Sequence, residues 1–335
     1  MQERLLFILS PPRAGSTLLQ RMLGSHAQIF TYPEPHLITP LAHLGYYDLV
    51  DKAPYDHINA AEAMKLFVSG LPHGEADYLD ALRAYADTLY GRMLEPSGKR
   101  YFLDKTPAYA LVWPFLTRLY PDARYLVLTR HPLAVASSYA NSFFDGDWRA
   151  ANRFNPIVSR YVPAIARLLR EPPARLLQVG YEQLVRDPSR TLRTICEFLE
   201  LDFQPEMLRY REHYTPQRAG LGDPINVDQH TCPVDSFADA WRAELVSDPT
   251  KYAIAQEIAA GLEPDDVRTW GFEPAHLLPP AASAEPPTSR TARVRTNGYV
   301  LQRRVMLALK KNIRDRPHGR LVQRLRYYCN VLLRE

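Results

Sequence analysis

The sequence predicts an α/β protein: a mainly parallel sheet flanked by helices, with a basic helical extension at the C-terminus. Three observations carry this. Leu5-Leu6-Phe7-Ile8-Leu9 and Tyr125-Leu126-Val127-Leu128-Thr129 are runs of strand length with no alternation, the pattern of strands buried on both faces. Leu176-Leu177-Gln178-Val179 is a third such run. Each gives way within a few residues to helical spacing, and strands alternating with helices argue for a parallel sheet covered on both sides. Ligands of such sheets bind beyond the carboxyl ends of the strands.

The first run leads into Ser10-Pro11-Pro12-Arg13-Ala14-Gly15-Ser16-Thr17-Leu18-Leu19, after which Leu18, Leu19, Met22 and Leu23 recur at helical spacing as far as Gly24. Strand, tight turn and helix together aim backbone N–H groups and a positive helix end at one spot, which suits phosphate or sulfate. The loop is P-loop-like without being a Walker loop. The second glycine and the lysine before Ser/Thr are missing, and Arg13 is its cation.

Residues 28–36 follow, extended because Pro33 and Pro35 flank Glu34. Residues 40–75 show no clear period. From Asp77 to Leu94 a helix is expected, with Tyr78, Leu82, Tyr85, Leu89 and Met93 on one side. Tyr101-Phe102-Leu103 is a short strand ending at Asp104-Lys105-Thr106-Pro107, and Ala110–Leu119 a helix interrupted or bent near Pro114. The strand at 125–129 ends at Arg130-His131-Pro132, where Pro132 opens a helix through Ser138 to about Phe144. A further helix carries Tyr161, Ile165 and Leu168.

The third strand enters Gly180-Tyr181-Glu182, and Asp187-Pro188 serves as cap and first residue of a helix burying Leu192, Ile195, Cys196 and Leu199. Gly220-Leu221-Gly222-Asp223-Pro224 is a turn or loop, and Asp235-Ser236 opens a helix containing Trp241. The organisation expected is a domain over 1–275, a Pro/Ala/Ser-rich linker over 276–290 and a basic tail over 291–335. In the tail, Leu301, Val305, Leu309 and Ile313, then Leu321, Leu325 and Tyr328, outline two amphipathic helices.

The net charge of +4 hides a division. From Arg290 onward there are 13 Lys/Arg against two acids, leaving 28 basic and 35 acidic residues before it, a net of −7. The basic tail is a solvated face or a dock for an acidic partner or anionic membrane. Nucleic acid is not expected, for want of a binding motif. Three distant cysteines, Cys196, Cys232 and Cys329, argue against a disulfide framework or a Cys-based zinc site. No metal motif occurs and no run reaches the length of a membrane span, so the expectation is a soluble, cytoplasmic, metal-free protein.

Four motifs together resemble the sulfotransferases that use 3′-phosphoadenosine 5′-phosphosulfate (PAPS). Pro12-Arg13-Ala14-Gly15-Ser16-Thr17-Leu18-Leu19 is similar to their 5′-phosphosulfate loop, and Arg130-His131-Pro132 with Ser138 to their 3′-phosphate motif. Asp104-Lys105-Thr106-Pro107 is similar to their Lys-Thr-Pro segment, and Tyr181 to Pro188 to a later strand-to-helix junction. Pro33-Glu34-Pro35-His36-Leu37 and Gly222-Asp223-Pro224 resemble the bacterial branch, including polyketide-synthase sulfotransferase domains. The likeness covers roughly residues 5–275.

It implies a sulfotransferase fold, PAPS as donor and adenosine 3′,5′-bisphosphate as product. The residues it implies for the donor are Arg13, Ala14, Gly15, Ser16, Thr17, Leu18, Arg130, Ser138 and Tyr181. Two separate anion sites suit a ligand phosphorylated at both ends. Transfer to a hydroxyl needs a base, and the resemblance to protein-tyrosine and polyketide sulfotransferases puts a carboxylate at Glu34; His36 and His131 are rivals. Cytosolic members place a histidine base where this chain has Lys105-Thr106, and Lys105 would steady the bridging oxygen or sulfuryl group. Acceptors in view are a polyketide or carrier-bound hydroxyl, a sugar, a lipid or a small phenol. Alternatives are a P-loop small-molecule kinase, against which the missing Gly-Lys-Ser/Thr core weighs, and a non-catalytic nucleotide- or partner-binding protein of the same fold.

Overall fold

The structure, a computed structural model, describes residues 1–42, 57–213 and 230–280. Five strands make one sheet among them: β1 (Leu5–Leu9), β2 (Ile29–Pro33), β3 (Tyr101–Lys105), β4 (Arg124–Thr129) and β5 (Leu176–Gly180). The order is β2-β3-β1-β4-β5 and every pairing is parallel. All residues of β1, β3 and β4 are buried, while the edge strand β5 is only half covered and tolerates Gln178. The expected strands are present, and the extended stretch before Glu34 pairs as β2.

The helices are α1 (Ser16–Gly24), α2 (Ile38–Ala42), α3 (His57–Ser69), α4 (Glu75–Leu94), α5 (Trp113–Leu119), α6 (Pro132–Phe143) and α7 (Trp148–Phe154). After them come α8 (Ile157–Arg170), α9 (Tyr181–Arg186), α10 (Pro188–Leu199), α11 (Tyr210–His213), α12 (Ser236–Ser247), α13 (Pro249–Ala260) and α14 (Pro264–Trp270). Local chemistry sets several boundaries as expected. Pro132 is the first residue of α6, and the Asp187 side chain caps α10 by accepting from the Arg190 N–H. Leu192, Ile195, Cys196 and Leu199 form the buried face of α10.

Three expectations need correction. On α4 the buried residues are Leu82, Ala86, Tyr90 and Leu94, whereas Tyr85, Leu89 and Met93 are exposed. The helix is turned by its polar need: the Tyr90 hydroxyl bonds to Asp104 and its ring packs 4.9 Å from Phe102. Second, Pro107–Leu111 is a 3₁₀ turn, and α5 starts only at Trp113, so Pro114 sits in a first turn where its missing N–H costs nothing. Third, helices α2 and α3 occupy part of the stretch that showed no period.

Packing also runs past residue 276. Leu277 is buried, and the Tyr252 hydroxyl donates to the Pro279 carbonyl. The Gly220–Pro224 turn, the linker from 281 and the basic tail with its two amphipathic repeats lie outside the described residues. Among the described helices none is long and apolar enough to cross a membrane.

Candidate active site

The carboxyl ends of β1, β2, β3 and β4 converge on one region, and two groups of side chains form there. The first is built on the loop between β1 and α1. Arg13 (φ 70°) and Gly15 (φ 93°) are both left-handed, which folds the loop back so that α1 begins at Ser16. The first-turn N–H groups of a helix lack intrahelical acceptors and are available to a ligand.

Arg13 Nε donates to Ser138 Oγ on α6 at 3.2 Å, joining motifs 125 residues apart. Arg130, just beyond β4, donates from Nη1 to the Arg13 carbonyl at 3.0 Å and from Nη2 to the Phe237 carbonyl at 2.8 Å. Its guanidinium lies 4.3 Å from the centre of the Tyr181 ring. Burial holds Arg130 below its usual pKa, with Tyr181 and Glu182 opposing the shift. The structure thus brings together Arg13, Gly15, Arg130, Ser138 and Tyr181.

Tyr181 also covers Gly15 so closely that a Cβ there would stand 2.6 Å from its Cε2. Backbone and ring both demand glycine. Gly15→Ala is therefore expected to cost about 2–4 kcal/mol from left-handed strain plus overlap. Urea unfolding checks this: an unchanged midpoint would mean that the Tyr181 ring can move aside.

The second group lies at the ends of β2 and β3. Their parallel register sets Pro33 opposite Lys105, so Glu34 emerges beside the lysine. Lys105 Nζ donates to Glu34 Oε1 at 2.5 Å and to Thr17 Oγ1 on α1 at 3.4 Å. Lys105 is 1% exposed and the Glu34 side chain 13%, so the pair is largely out of water while the carboxylate keeps an opening. His36 Nε2 stands 3.7 Å from Glu34 Oε2. Glu34 and His36 both have positive φ, 35° and 52°, a cost that the surrounding bonds must meet. Thr17 links this group to the first, because it sits in the helix turn that follows the loop.

His131 is elsewhere. Its ring stacks on Trp241 at 4.1 Å and meets Phe272 edge-on at 4.9 Å, and both ring nitrogens are buried without a hydrogen-bond partner among the described residues. Burial, with help from Arg242 and Arg130, lowers its pKa to about 3. A base that weak, sealed among aromatics, is not brought to Glu34 or Lys105. Its backbone N–H serves instead, donating to Glu182 Oε1 at the start of α6.

Several residues at the site are not among those expected to bind the donor or to act as base. Buried Gln20 reaches from α1 to Thr31 Oγ1 (2.8 Å) and to the Tyr32 carbonyl (3.1 Å), fixing the end of β2 before Glu34. Tyr161, buried on α8, is close enough to Glu34 for the carboxylate to help raise its hydroxyl pKa, which burial mainly pushes up to about 12. Asp104 is fully buried beside Lys105 and accepts from three hydroxyls. Gln20 leaves only a lone polar residue in an apolar helix face as its sequence trace, whereas Asp104 stands at the head of the Asp104–Pro107 segment without its own role being marked.

Comparison with known proteins bears on the same residues. A model of the sulfotransferase family matches residues 6–205, a span that contains both groups. Nodulation protein NoeE of Sinorhizobium fredii is 35% identical over 226 residues, covering 58% of this chain and 50% of that protein. Protein-tyrosine sulfotransferase 2 of Gallus gallus is 26% identical over 212 residues, covering 62% of this chain and 54% of that protein. The chain thus spans about half the length of these relatives. A solved sulfotransferase domain from the Synechococcus PCC 7002 olefin synthase superposes with a TM-score of 0.50 at 28% identity, over 77% of this chain and 95% of that domain. With a parallel sheet whose strand ends gather Arg13, Arg130 and Ser138 on one side and Glu34 and Lys105 on the other, the chain belongs to the sulfotransferase family.

Proposed function

We propose that this protein transfers a sulfuryl group from PAPS to an acceptor hydroxyl, with Glu34 as the general base. The observation that carries the reading is the joining of two anion-binding motifs by the Arg13–Ser138 and Arg130–Arg13 bonds, with the Glu34–Lys105 pair one helix turn away through Thr17. The residues suit an anionic nucleotide. Among the described residues Ser10 Oγ and Arg130 Nε are buried polar atoms with no hydrogen-bond partner, donors of the kind that phosphate oxygens satisfy.

Arg13 and the N–H groups of Ala14, Gly15, Ser16, Thr17 and Leu18 would hold the 5′ phosphosulfate. Arg130 and Ser138 would hold the 3′-phosphate, against the wall made by Tyr181. PAPS when bound supplies the sulfuryl group and a phosphate leaving group. Glu34 accepts the acceptor hydroxyl's proton at a carboxylate oxygen. Lys105, already bonded to Glu34 and Thr17, fixes the carboxylate and faces the charge that develops on transfer. The relatives' names point to unlike acceptors, a protein tyrosine and an olefin-synthase pathway, so the acceptor is proposed only as hydroxyl-bearing. The tail's docking on an acidic partner or membrane surface is a separate proposal about residues outside the described ones.

Isothermal titration with adenosine 3′,5′-bisphosphate tests the nucleotide site. Arg130→Ala and Arg13→Ala are each expected to weaken binding by about 10–150-fold, the worth of one charge-assisted bond. Unchanged affinity in both would overturn the assignment, as would stabilisation by ATP–Mg and not by the bisphosphate.

A further inference from the structure

Proton transfer at Glu34 requires Glu34 and Lys105 to hold a fixed mutual position, although Lys105 ends β3 while Glu34 lies on the loop after β2, with left-handed backbone at Glu34 and His36. What holds them is on the far side of the sheet. Side chains alternate along a strand, so Asp104 points away from Lys105 into the core. There it is a hub. Asp104 Oδ2 accepts from the Tyr90 hydroxyl at 2.7 Å and the Tyr109 hydroxyl at 3.0 Å, and Oδ1 accepts from Thr106 Oγ1 at 3.0 Å. The Tyr109 oxygen in turn accepts the backbone N–H of Ile38 at 3.0 Å. Ile38 opens α2, four residues after Glu34.

A continuous chain of bonds therefore runs from the end of β3, which carries Lys105, to the segment that carries Glu34. Every member is buried: Asp104, Thr106, Tyr109 and Ile38 are each fully covered. Such a network has no water to replace a lost partner. Tyr90 donates to the same carboxylate from α4, and among the described residues its hydroxyl has no bond to the Glu34 segment.

We infer that Asp104 is a positioning residue for the transfer reaction, acting through Tyr109 and the Ile38 N–H to set Glu34 against Lys105. The inference rests on Glu34 being the base. It separates two phenols that are alike in burial and in bonding to Asp104, since only Tyr109 leads on to Glu34.

The test compares Tyr109→Phe with Tyr90→Phe in the full chain. Turnover of PAPS is followed with p-nitrophenol, tyramine and a simple glucoside offered as acceptor hydroxyls, the fastest being used throughout. Misplacing a base by about an ångström costs up to about 100-fold, so Tyr109→Phe is expected to lower kcat by about 10–100-fold with adenosine 3′,5′-bisphosphate affinity kept. Tyr90→Phe, losing a similar bond, is expected to lower the urea midpoint comparably and to leave kcat near wild type. Asp104→Asn, which keeps an acceptor oxygen, is expected to retain more activity than Asp104→Ala. Added to Glu34→Gln, Tyr109→Phe is expected to cost nothing further, because the base it positions is gone. Equal kcat losses in Tyr109→Phe and Tyr90→Phe, or none in Tyr109→Phe, would overturn the inference while a slow Glu34→Gln left the base in place. A Glu34→Gln protein at wild-type rate overturns both.

Discussion

Glu34→Gln is expected to slow sulfuryl transfer by about 10²–10⁴-fold, the usual contribution of a positioned general base, while nucleotide binding stays intact. The substitution is close to isosteric, and the amide oxygen still accepts from Lys105 Nζ, so the loop need not rearrange. What is lost is the capacity to take a proton. The site around Glu34 makes it the better candidate of the three considered. Its Oε1 is bonded to a lysine that is itself bonded to the loop helix through Thr17, and its Oε2 faces the half-exposed His36. His131 is occupied in an aromatic sandwich. His36 stands in reach of Glu34 Oε2, and His36→Gln is the control: if it abolishes transfer while Glu34→Gln does not, the imidazole is the base. Single-turnover transfer from PAPS with the best acceptor of a hydroxyl panel measures both variants. A Glu34→Gln protein that binds nucleotide and transfers at the wild-type rate removes Glu34 from the role.

How much of this was legible in the sequence depends on whether neighbours in space were also marked in the chain. β1 and β4 were plain because residues buried on both faces leave an unbroken apolar run, and Arg13 and Arg130 follow those runs directly. A parallel sheet places both at the same edge, so their meeting could be anticipated without strand order. The Glu34–Lys105 bond could not, since it needs β2 to lie beside β3 in the register that sets Pro33 opposite Lys105.

On α4 the expected stripe of Tyr78, Leu82, Tyr85, Leu89 and Met93 shares Leu82 with the buried one and parts from it at Ala86, Tyr90 and Leu94. The winning stripe contains Tyr90, whose hydroxyl satisfies a buried carboxylate 14 residues away. The buried stripe is as apolar as the exposed one, and what distinguishes it is Tyr90, which meets both the Phe102 ring and the Asp104 carboxylate. His131 shows the converse. Its place after Arg130 suggested chemistry, but its ring is fixed by Trp241 and Phe272, more than 100 residues downstream.

That sealed imidazole makes acid the second large lever on this protein. In the unfolded chain His131 takes a proton near its ordinary pKa of 6.5; in the folded protein it does not until about pH 3. Stability from this group is therefore complete above pH 6.5 and is lost progressively as the pH falls toward 3, at about 1.4 kcal/mol per pH unit and about 5 kcal/mol in all. Asp104 works in the opposite sense. Burial raises its pKa from 3.8 to about 6, so the folded protein takes that proton first and gains about 3 kcal/mol as the pH falls from 6 to below 4.

Between these limits the two offset each other, and wild-type stability should show little net dependence on them near pH 5. His131→Phe removes one side of that balance while keeping a ring between Trp241 and Phe272. It is expected to match wild type at pH 7.5 and to exceed it by about 3 kcal/mol at pH 4.5, read from urea midpoints. Parallel pH dependence in the two proteins would mean that the His131 ring reaches water. The ring is stacked on Trp241 of α12, so charging it is expected to strain that contact. The same helix carries the Phe237 carbonyl that accepts from Arg130. Acid is therefore expected to loosen Arg130 through the histidine beside it, read as weaker adenosine 3′,5′-bisphosphate affinity at pH 4.5 in wild type than in His131→Phe.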